Sequence, residues 1–290
     1  MLALLDANAW LNFHRREPAA RRSRFQRAVQ RGLVRPLLTP LVLSELAQAP
    51  DHAEVDRVAS LRYAWTWSRG RVLLPDFERE DRELRLRRPL REVEALYDDR
   101  QRANARAALD SSETAEWARR VIPPAHVQHE TAERARLEAT VAELDSHQLR
   151  EALGDLPSRQ AFARSWASDA IAERANDLGL AAPHVAPDRA PTFLAAKAVH
   201  VERIARVLLE GRTPVQPDRF DVQHLEDALA YCDLVVSDDA RLVALGEVVG
   251  AAWPKLRVSR LDPWVEWRPG ATTEGTPAPR GSYCHGFLRR

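Results

Sequence analysis

The sequence predicts an α/β protein in which both ends of the chain contribute strands to one parallel sheet. Short apolar segments alternate with helix-forming segments near the start of the chain and again near its end. Alternation of strands and helices is typical of parallel sheets flanked by helices. Between the two ends, residues 51–211 are rich in Arg, Glu and Ala and predict a large all-helical insertion.

The first part of the sheet is predicted within residues 1–50. Leu2–Leu5 is a short apolar run that stops at Asp6, as expected for a buried strand. The elements predicted after it are a helix over 18–32, a strand at Leu33–Leu38 and a helix that begins at Thr39-Pro40. Thr is a good N-cap and Pro is favoured in the first helical turn, so this last boundary is well defined.

The second part of the sheet is predicted within residues 212–268. The elements predicted there are a linker at 212–217, a helix at Phe220–Cys232, a strand at Leu234–Val236, a helix over 239–248 and a strand at Leu256–Leu261. Residues 269–290 are rich in Gly, Thr, Pro and Ser, which predicts a flexible tail.

The overall charge excludes a strongly basic nucleic-acid binder and an acidic tail protein. The chain has 43 Lys and Arg against 42 Asp and Glu, a formal net charge of +1. This charge is unevenly distributed, because residues 1–50 carry a net +5 whereas residues 212–268 carry a net −3. A local basic surface therefore stays compatible with the sequence.

Cysteine content and hydropathy narrow the class of protein further. The two cysteines, Cys232 and Cys284, cannot build a disulfide framework and lack the spacing of zinc ligands. No apolar run approaches the ~20 residues that span a bilayer. Met1–Leu5 is too short for a signal peptide. We therefore expect a cytoplasmic protein without a membrane partner.

Acidic residues follow two of the predicted strands directly. Asp6 comes after the first strand, and Ser237-Asp238-Asp239 comes after Leu234–Val236. Ligands of open parallel sheets bind at the carboxyl ends of the strands, so these side chains are expected to converge if the two strands are neighbours.

The helix at Phe220–Cys232 can be divided into faces at 100° per residue. Its apolar residues form one arc, and Asp221 and His224 lie on the margin of that arc. Asp221 is therefore predicted to face the sheet, and His224 to pack or form a hydrogen bond beside it. Asp227 lies on the far side of the helix and is predicted to face solvent.

Clustered carboxylates repel one another unless a cation neutralises them. Carboxylate oxygens are the ligands that suit Mg²⁺ or Mn²⁺. Such ions commonly act on phosphates, because they polarise the phosphoryl oxygen and activate water. The acids at the predicted sheet edge therefore indicate a metal site for phosphate chemistry.

These residues resemble the pattern of the PIN-domain nucleases. The resemblance is carried by Leu4-Leu5-Asp6-Ala7-Asn8, by Glu45 on the following helix, and by Asp221 with the later segment Leu234-Val235-Val236-Ser237-Asp238-Asp239. It covers about 1–50 and 212–268, and the late segment is its most specific part. Glu45 and Asp221 are 176 positions apart, which is much further than in compact members of the family.

The resemblance implies a three-layer parallel sheet flanked by helices and one or two Mg²⁺ or Mn²⁺ ions. Asp6, Glu45, Asp221 and Asp239 would be the catalytic metal ligands, with Asp238 as a further ligand. Asn8 and Ser237 would support them. The implied reaction is hydrolysis of phosphodiester bonds in RNA or, less often, in DNA.

The same resemblance suggests partners. The family includes ribonuclease toxins of bacterial toxin–antitoxin pairs, so a cognate antitoxin protein is one candidate partner and a second copy of the chain is another. Arg24, Arg27 and Arg31 form a stripe on the helix over 18–32. This stripe is either a solvated helix face or a surface that contacts nucleic-acid phosphates.

Other interpretations of the acids stay open. Asp239 alone could be a helix cap, and Asp221 a first-turn acid. Asp6 has no cap to make unless a helix begins directly after it. A haloacid-dehalogenase-like phosphatase also has an aspartate after its first strand, but it needs a second aspartate where this chain has Asn8. A third alternative is a PIN-fold protein with a spent site that binds RNA or protein.

Overall fold

The computed structural model of the chain describes residues 1–15, 19–49, 52–121, 146–180, 185–209 and 219–261. Its sheet consists of four parallel strands, β1 (Leu2–Leu5), β2 (Arg35–Leu37), β3 (Leu234–Val236) and β4 (Arg257–Ser259). Their order across the sheet is β2-β1-β3-β4. The prediction that both chain ends form one parallel sheet flanked by helices is confirmed.

Helices make up most of the described chain. In chain order they are α1 (Ala7–Arg15), α2 (Ala19–Gln30), α3 (Pro40–Gln48), α4 (Glu54–Ser68), α5 (Asp76–Leu86), α6 (Glu92–Ala95), α7 (Asp99–Asp110), α8 (Thr114–Arg120), α9 (Ser146–Leu153), α10 (Leu156–Asp177), α11 (Pro191–Leu209), α12 (Arg219–Tyr231) and α13 (Ala240–Ala252).

The two central strands are buried on both faces. Every residue of β1 and β3 is at most 5% exposed. A parallel sheet covered by helices on both sides excludes water from both faces, so its strands are continuously apolar rather than alternating. This explains why Leu-Ala-Leu-Leu and Leu-Val-Val could be recognised as strands from their sequence.

The register of the sheet places the ends of β1 and β3 side by side. Leu5 of β1 pairs with Val236 of β3. The amide of Asp6 continues this ladder by donating to the Val236 carbonyl at 3.1 Å. The residues that directly follow the two strands therefore emerge together at one edge.

Helix α1 was not expected from the sequence. It begins directly after β1, and its residues Trp10 and Phe13 are fully buried against Phe25 of α2. Burial of large aromatic side chains stabilises such a short helix more than its intrinsic propensity does.

The start of the second predicted strand differs from the structure. The prediction was Leu33–Leu38, whereas β2 spans Arg35–Leu37 and Leu33 is 41% exposed. Leu38 instead forms a parallel bridge with Val72 from the helical middle of the chain. The Thr39 boundary is confirmed, since its hydroxyl accepts a hydrogen bond from the Val42 amide at 3.2 Å.

The helices of residues 51–211 share the apolar core of the sheet. Leu61 and Trp65 of α4 and Ala198 of α11 belong to the same buried cluster as β1. A second, smaller cluster joins α5, α10 and α11 through Leu84, Ile171 and Phe193. The division of the chain into a split core and a helical insertion stays a prediction, but the described helices pack closely on the sheet.

Helix α12 is covered on both sides, which corrects one prediction. Asp227 was expected to face solvent, but it is 4% exposed and forms an ion pair with Arg79 of α5, which is itself 1% exposed. The far face of α12 packs against α11. An acid on that face therefore needs a partner from the helical middle.

Within the described ranges, none of the helices is long and apolar enough to cross a membrane. The predicted linker at 212–217 and the predicted tail at 269–290 lie outside the described residues.

Candidate active site

The carboxyl edge of the sheet is organised around Asp6. This residue follows β1 and is only 4% exposed. One of its carboxylate oxygens accepts a hydrogen bond from the Ala9 amide at 2.6 Å, and the other accepts from the hydroxyl of Ser237. The contact with the Ala9 amide caps α1. A helix does begin directly after Asp6, so this residue has the capping role that was open from the sequence.

Ser237 fixes Asp6 from the neighbouring strand. It directly follows β3 and is fully buried. Its hydroxyl oxygen donates to Asp6 and accepts from the Asp239 amide at 2.9 Å. Ser237 thus connects the end of β1 to the turn that begins α13, and its role in supporting metal ligands stays a prediction.

Glu45 and His224 form a second pair beside Asp6. Glu45 lies on α3, and its carboxylate contacts Nε2 of His224 on α12 at 2.8 Å. His224 is 2% exposed, whereas the Glu45 side chain is 23% exposed. The charge of each affects the pKa of Asp6, which shows that the three groups lie within electrostatic reach of one another.

The pKa values of Asp6 and His224 are both raised, so each group keeps its proton to a higher pH than usual. Burial raises the pKa of Asp6 to about 6, although hydrogen bonds from Ser237 and Ala9 oppose the shift. Burial alone would lower the pKa of His224. The charge and hydrogen bond of Glu45 and the charge of Asp6 overcome this and raise the pKa to about 9. The raised pKa favours the imidazolium form of His224 at neutral pH, and this form balances carboxylate charge.

Asp221 lies on the first turn of α12 and is 8% exposed. It precedes His224 by three positions, so the two side chains lie on neighbouring parts of one helix face. Because α12 is covered on both sides, this burial does not by itself show that Asp221 faces the sheet, and that orientation stays a prediction.

The acids after β3 have distinct roles. Asp239 is the N-cap of α13, and one of its oxygens accepts from the amides of Arg241 and Leu242 at 2.6 and 3.2 Å. Asp238 is exposed and accepts from the side-chain amide of Asn12 at 2.6 Å. The capping interpretation of Asp239 is thus realised in the structure.

The predicted supporting residue Asn8 is exposed on the first turn of α1. Asn12, one turn further along α1, makes the contact to Asp238 instead. Sequence reasoning missed Asn12 because α1 itself was not expected. With the helix known, the spacing of four residues would have indicated it.

The arginine stripe of α2 is solvent-exposed. Arg24 and Arg27 lie on the outer face of the helix, opposite the buried Phe25 and Val29, and Arg31 lies in the turn that follows. This placement agrees with both predicted alternatives, a solvated face and a phosphate-contacting surface.

The donor chemistry at this edge suits a hard divalent cation, but the ligands are not assembled as a complete set. Among the residues that the structure describes, no three side chains of His, Cys, Asp or Glu are grouped so that they could hold a metal ion. Asp6 is held by Ser237 and Ala9, Glu45 by His224, and one oxygen of Asp239 by the start of α13. The described arrangement balances the buried carboxylates with the His224 imidazolium.

No protein-family model, curated protein or solved structure shows a significant match to this chain. The class of protein is therefore inferred from the site itself. Open parallel sheets bind ligands at their carboxyl edge, and acids in that position are typical of sites that bind a metal cation.

Proposed function

We propose that this chain is a metal-dependent nuclease that hydrolyses phosphodiester bonds, with RNA as the preferred substrate. The observation that carries the proposal is the buried Asp6 carboxylate, held by Ser237 at the carboxyl edge of the sheet with Glu45 and His224 in electrostatic reach. Buried titratable groups with perturbed pKa values, as Asp6 and His224 have, are common at catalytic sites. The PIN-like pattern of the sequence supports the same assignment.

The proposed ligands of Mg²⁺ or Mn²⁺ are Asp6, Glu45, Asp221 and Asp239, with Asp238 as a further candidate. A bound divalent ion would supply phosphoryl polarisation and water activation. The chain's own residues orient the carboxylates: Ser237 fixes Asp6 by donating its hydroxyl hydrogen, and Asp239 is held at the start of α13. Asn8 is exposed at the same edge and is available to contact substrate.

Charge balance leaves room for a cation at this position. Buried carboxylates need a counter-charge, and in the described structure the one positive charge of His224 faces two carboxylates, Glu45 and Asp6. A divalent ion would supply this counter-charge if Glu45 left His224 and bound the ion instead. Metal binding and the Glu45–His224 contact are therefore expected to compete.

The proposal is tested with purified protein and labelled single-stranded RNA or DNA, in the presence of Mn²⁺ or EDTA. We expect cleavage that requires Mn²⁺ and is lost in Asp6→Asn. The variant should fold, because the Asn carbonyl can still accept from Ala9 and the Ser237 hydroxyl can accept from the Asn amide. Asp99→Asn, on a carboxylate that is 96% exposed, is the matched control and should cleave normally.

Two results would contradict the nuclease. Cleavage that persists in EDTA or in Asp6→Asn would show that the proposed site is not responsible. Activity confined to small phosphomonoesters would instead favour the haloacid-dehalogenase-like phosphatase. Circular dichroism of each variant excludes unfolding as the reason for lost activity.

A second candidate function is a nucleic-acid-binding module that has lost catalysis. It is favoured by the Glu45–His224 pair and by the incomplete grouping of metal ligands in the described residues. Binding of RNA without cleavage at any Mn²⁺ concentration would support it. A cognate antitoxin and a homodimer stay predictions that a pull-down and a measurement of mass in solution would test.

A further inference from the structure

The opposite edge of the sheet carries a cluster of arginines. The amino-edge cluster consists of Arg31, Arg35, Arg69, Arg71 and Arg257. Arg35 begins β2 and Arg257 begins β4, so both lie at the amino ends of their strands. Arg31 is in the turn that leads into β2. The segment with Arg69 and Arg71 follows α4 and runs parallel to β2. The Arg71 carbonyl accepts from the Leu38 amide at 2.9 Å, so the backbone of Arg71 lies level with the last residue of β2, while its side chain is within electrostatic reach of Arg35.

Contacts show that the members on the β2 side are close together. The guanidinium of Arg69 donates to the carbonyl of Val29, two residues before Arg31, at 3.3 Å. Burial lowers the pKa of the Arg71 guanidinium and the Glu92 carboxylate raises it, while the charges of Arg69 and Arg35 lower it further. Three guanidinium groups therefore act on one another.

Glu92 balances only part of this charge. It pairs with Arg35 at 2.6 Å, and the two side chains are 19% and 37% exposed. Arg31, Arg69 and Arg257 are exposed, and Arg71 is half-buried. Positive groups that are held together and partly desolvated repel one another, and an anion at the surface relieves that repulsion.

The cluster has the extent of a polyanion-binding surface rather than of a site for one small anion. From β2 to β4 the sheet spans three inter-strand spacings of ~4.8 Å, or about 15 Å. Leu33 is 41% exposed between Arg31 and Arg35 and adds apolar surface among the charges. Guanidinium groups bind phosphate oxygens through two parallel hydrogen bonds.

The two edges of the sheet differ in charge. Asp6, Asp238 and Asp239 follow the carboxyl ends of β1 and β3, whereas Arg35 and Arg257 occupy the amino ends of β2 and β4. Asp233 precedes β3 at the amino edge, where its carboxylate accepts from the Leu2 amide at 2.8 Å, so the arginines there outnumber the acids rather than stand alone. A four-residue strand is only about 13 Å long, so a single extended polyanion can reach both edges. This separation distinguishes a surface that binds phosphates from the site proposed to cleave them.

We propose that the amino-edge cluster binds the phosphodiester backbone of a single-stranded nucleic acid, away from the candidate active site. The choice of a nucleic acid over an acidic protein rests on the proposed function. The phosphates bound here are not the ones that are cleaved, so the surface contributes affinity and gives longer strands an advantage as substrates. Recognition through phosphates is independent of base sequence.

The test measures the anisotropy of a fluorescent oligouridylate in EDTA, where cleavage does not interfere. The triple variant Arg31→Gln, Arg71→Gln, Arg257→Gln leaves the Arg35–Glu92 pair and the Arg69–Val29 contact intact. We expect affinity to fall at least about tenfold. The slope of log K against log salt should decrease by about 2, since each phosphate contact to a single strand contributes about 0.7.

The matched control removes the same charge elsewhere. Arg85→Gln, Arg100→Gln, Arg119→Gln changes exposed arginines on α5, α7 and α8 and should bind within about twofold of the unaltered protein at the same salt. Equal weakening in both triple variants would overturn the proposal in favour of a general charge effect. Unchanged binding in the amino-edge variant would also overturn it.

Two further arms keep the result decisive. Arg31→Gln alone changes one exposed side chain, and it should lower the salt slope by about 0.7 even if the triple variant does not fold. Polyglutamate is added as a competitor, and displacement of the oligouridylate at equal charge concentration would overturn the nucleic-acid assignment. The same binding measurement with Asp6→Asn separates the amino-edge proposal from the nuclease proposal. Both proposals predict that this variant loses cleavage but still binds the oligouridylate.

Discussion

The hydroxyl of Ser237 donates a hydrogen bond to the carboxylate of Asp6 across 231 positions of sequence. Both residues follow strands that are neighbours in the sheet, and both are buried. This contact joins the two segments that carry the acids of the candidate site. Its removal therefore tests whether the site also contributes to the stability of the fold.

Ser237→Ala should lower the free energy of unfolding by about 1–3 kcal/mol, because it leaves a buried carboxylate oxygen without its donor. The same change removes the acceptor of the Asp239 amide. Urea denaturation at neutral pH measures the effect. Ser168→Ala is the control, since that exposed hydroxyl bonds within its own helix and its loss should change little. If Ser237→Ala and Ser168→Ala are equally stable, the hydrogen bond from Ser237 to Asp6 does not contribute to the stability of the fold.

Arg79→Met should destabilise the protein by about 3–5 kcal/mol, because it leaves the buried Asp227 carboxylate without a counter-charge. Adding Asp227→Asn to this variant should restore a large part of the loss. The exposed pair Arg106–Asp110 is the matched control, and Arg106→Met should cost less than about 1 kcal/mol. A double variant no more stable than Arg79→Met would argue against the ion pair as the cause.

The pH dependence of stability should depend on Glu83. This residue of α5 is buried, and its carboxylate accepts from the Tyr231 hydroxyl and from the Thr192 hydroxyl and amide. Burial raises its pKa from 4.5 to about 7. The folded state therefore binds the Glu83 proton more tightly than the unfolded state does, and the associated stability is lost as the pH rises from about 4.5 through 7.

Glu83→Gln should remove this component of the pH dependence. Between pH 5 and pH 8, a range that covers most of the interval from 4.5 to 7, the unaltered protein should lose about 2–3 kcal/mol relative to the variant, at 1.36 kcal/mol for each pKa unit. Urea midpoints at the two pH values provide the measurement. Glu116→Gln, on the exposed α8, should change the profile little. If the difference in free energy of unfolding between Glu83→Gln and the unaltered protein is the same at pH 5 and pH 8, the raised pKa of Glu83 is refuted.

His224→Gln tests the competition between the imidazolium and a metal ion. Gln can still donate to Glu45 but carries no charge, so the carboxylates lose their counter-charge. We expect Mn²⁺ to raise the Tm of this variant more than that of the unaltered protein. His200→Gln, which removes another His–Glu pair, with Glu226, is the control. A smaller Mn²⁺ response in His224→Gln would show that His224 assists metal binding rather than competing with it.

The secondary-structure elements that carry the candidate site and depend on local sequence were predicted well. The strand before Asp6, the strand before Ser237 and the N-cap at Thr39 each depend on a few consecutive residues. Buried strands and helix starts are local features, since they follow from apolar runs and capping side chains.

The contacts between distant segments could not be predicted in the same way. A helical wheel identifies the two faces of α12, but it does not show that α11 covers the second one. Asp227 was therefore assigned to solvent, although its partner Arg79 lies 148 positions earlier in the chain. The Glu45–His224 contact joins residues 179 positions apart, and no local pattern in the sequence indicates it.

The assembly of the sheet from both chain ends has a consequence during synthesis on the ribosome. Strand β3, which Ser237 follows, emerges long after β1, which Asp6 follows, by about 10 to 50 s at typical elongation rates. Until then, β1 has only β2 as a neighbour and Asp6 lacks its Ser237 donor. A nascent chain released before β3 is made would lack Ser237, Asp238 and Asp239 and would have no assembled site, so truncated translation products should be inactive.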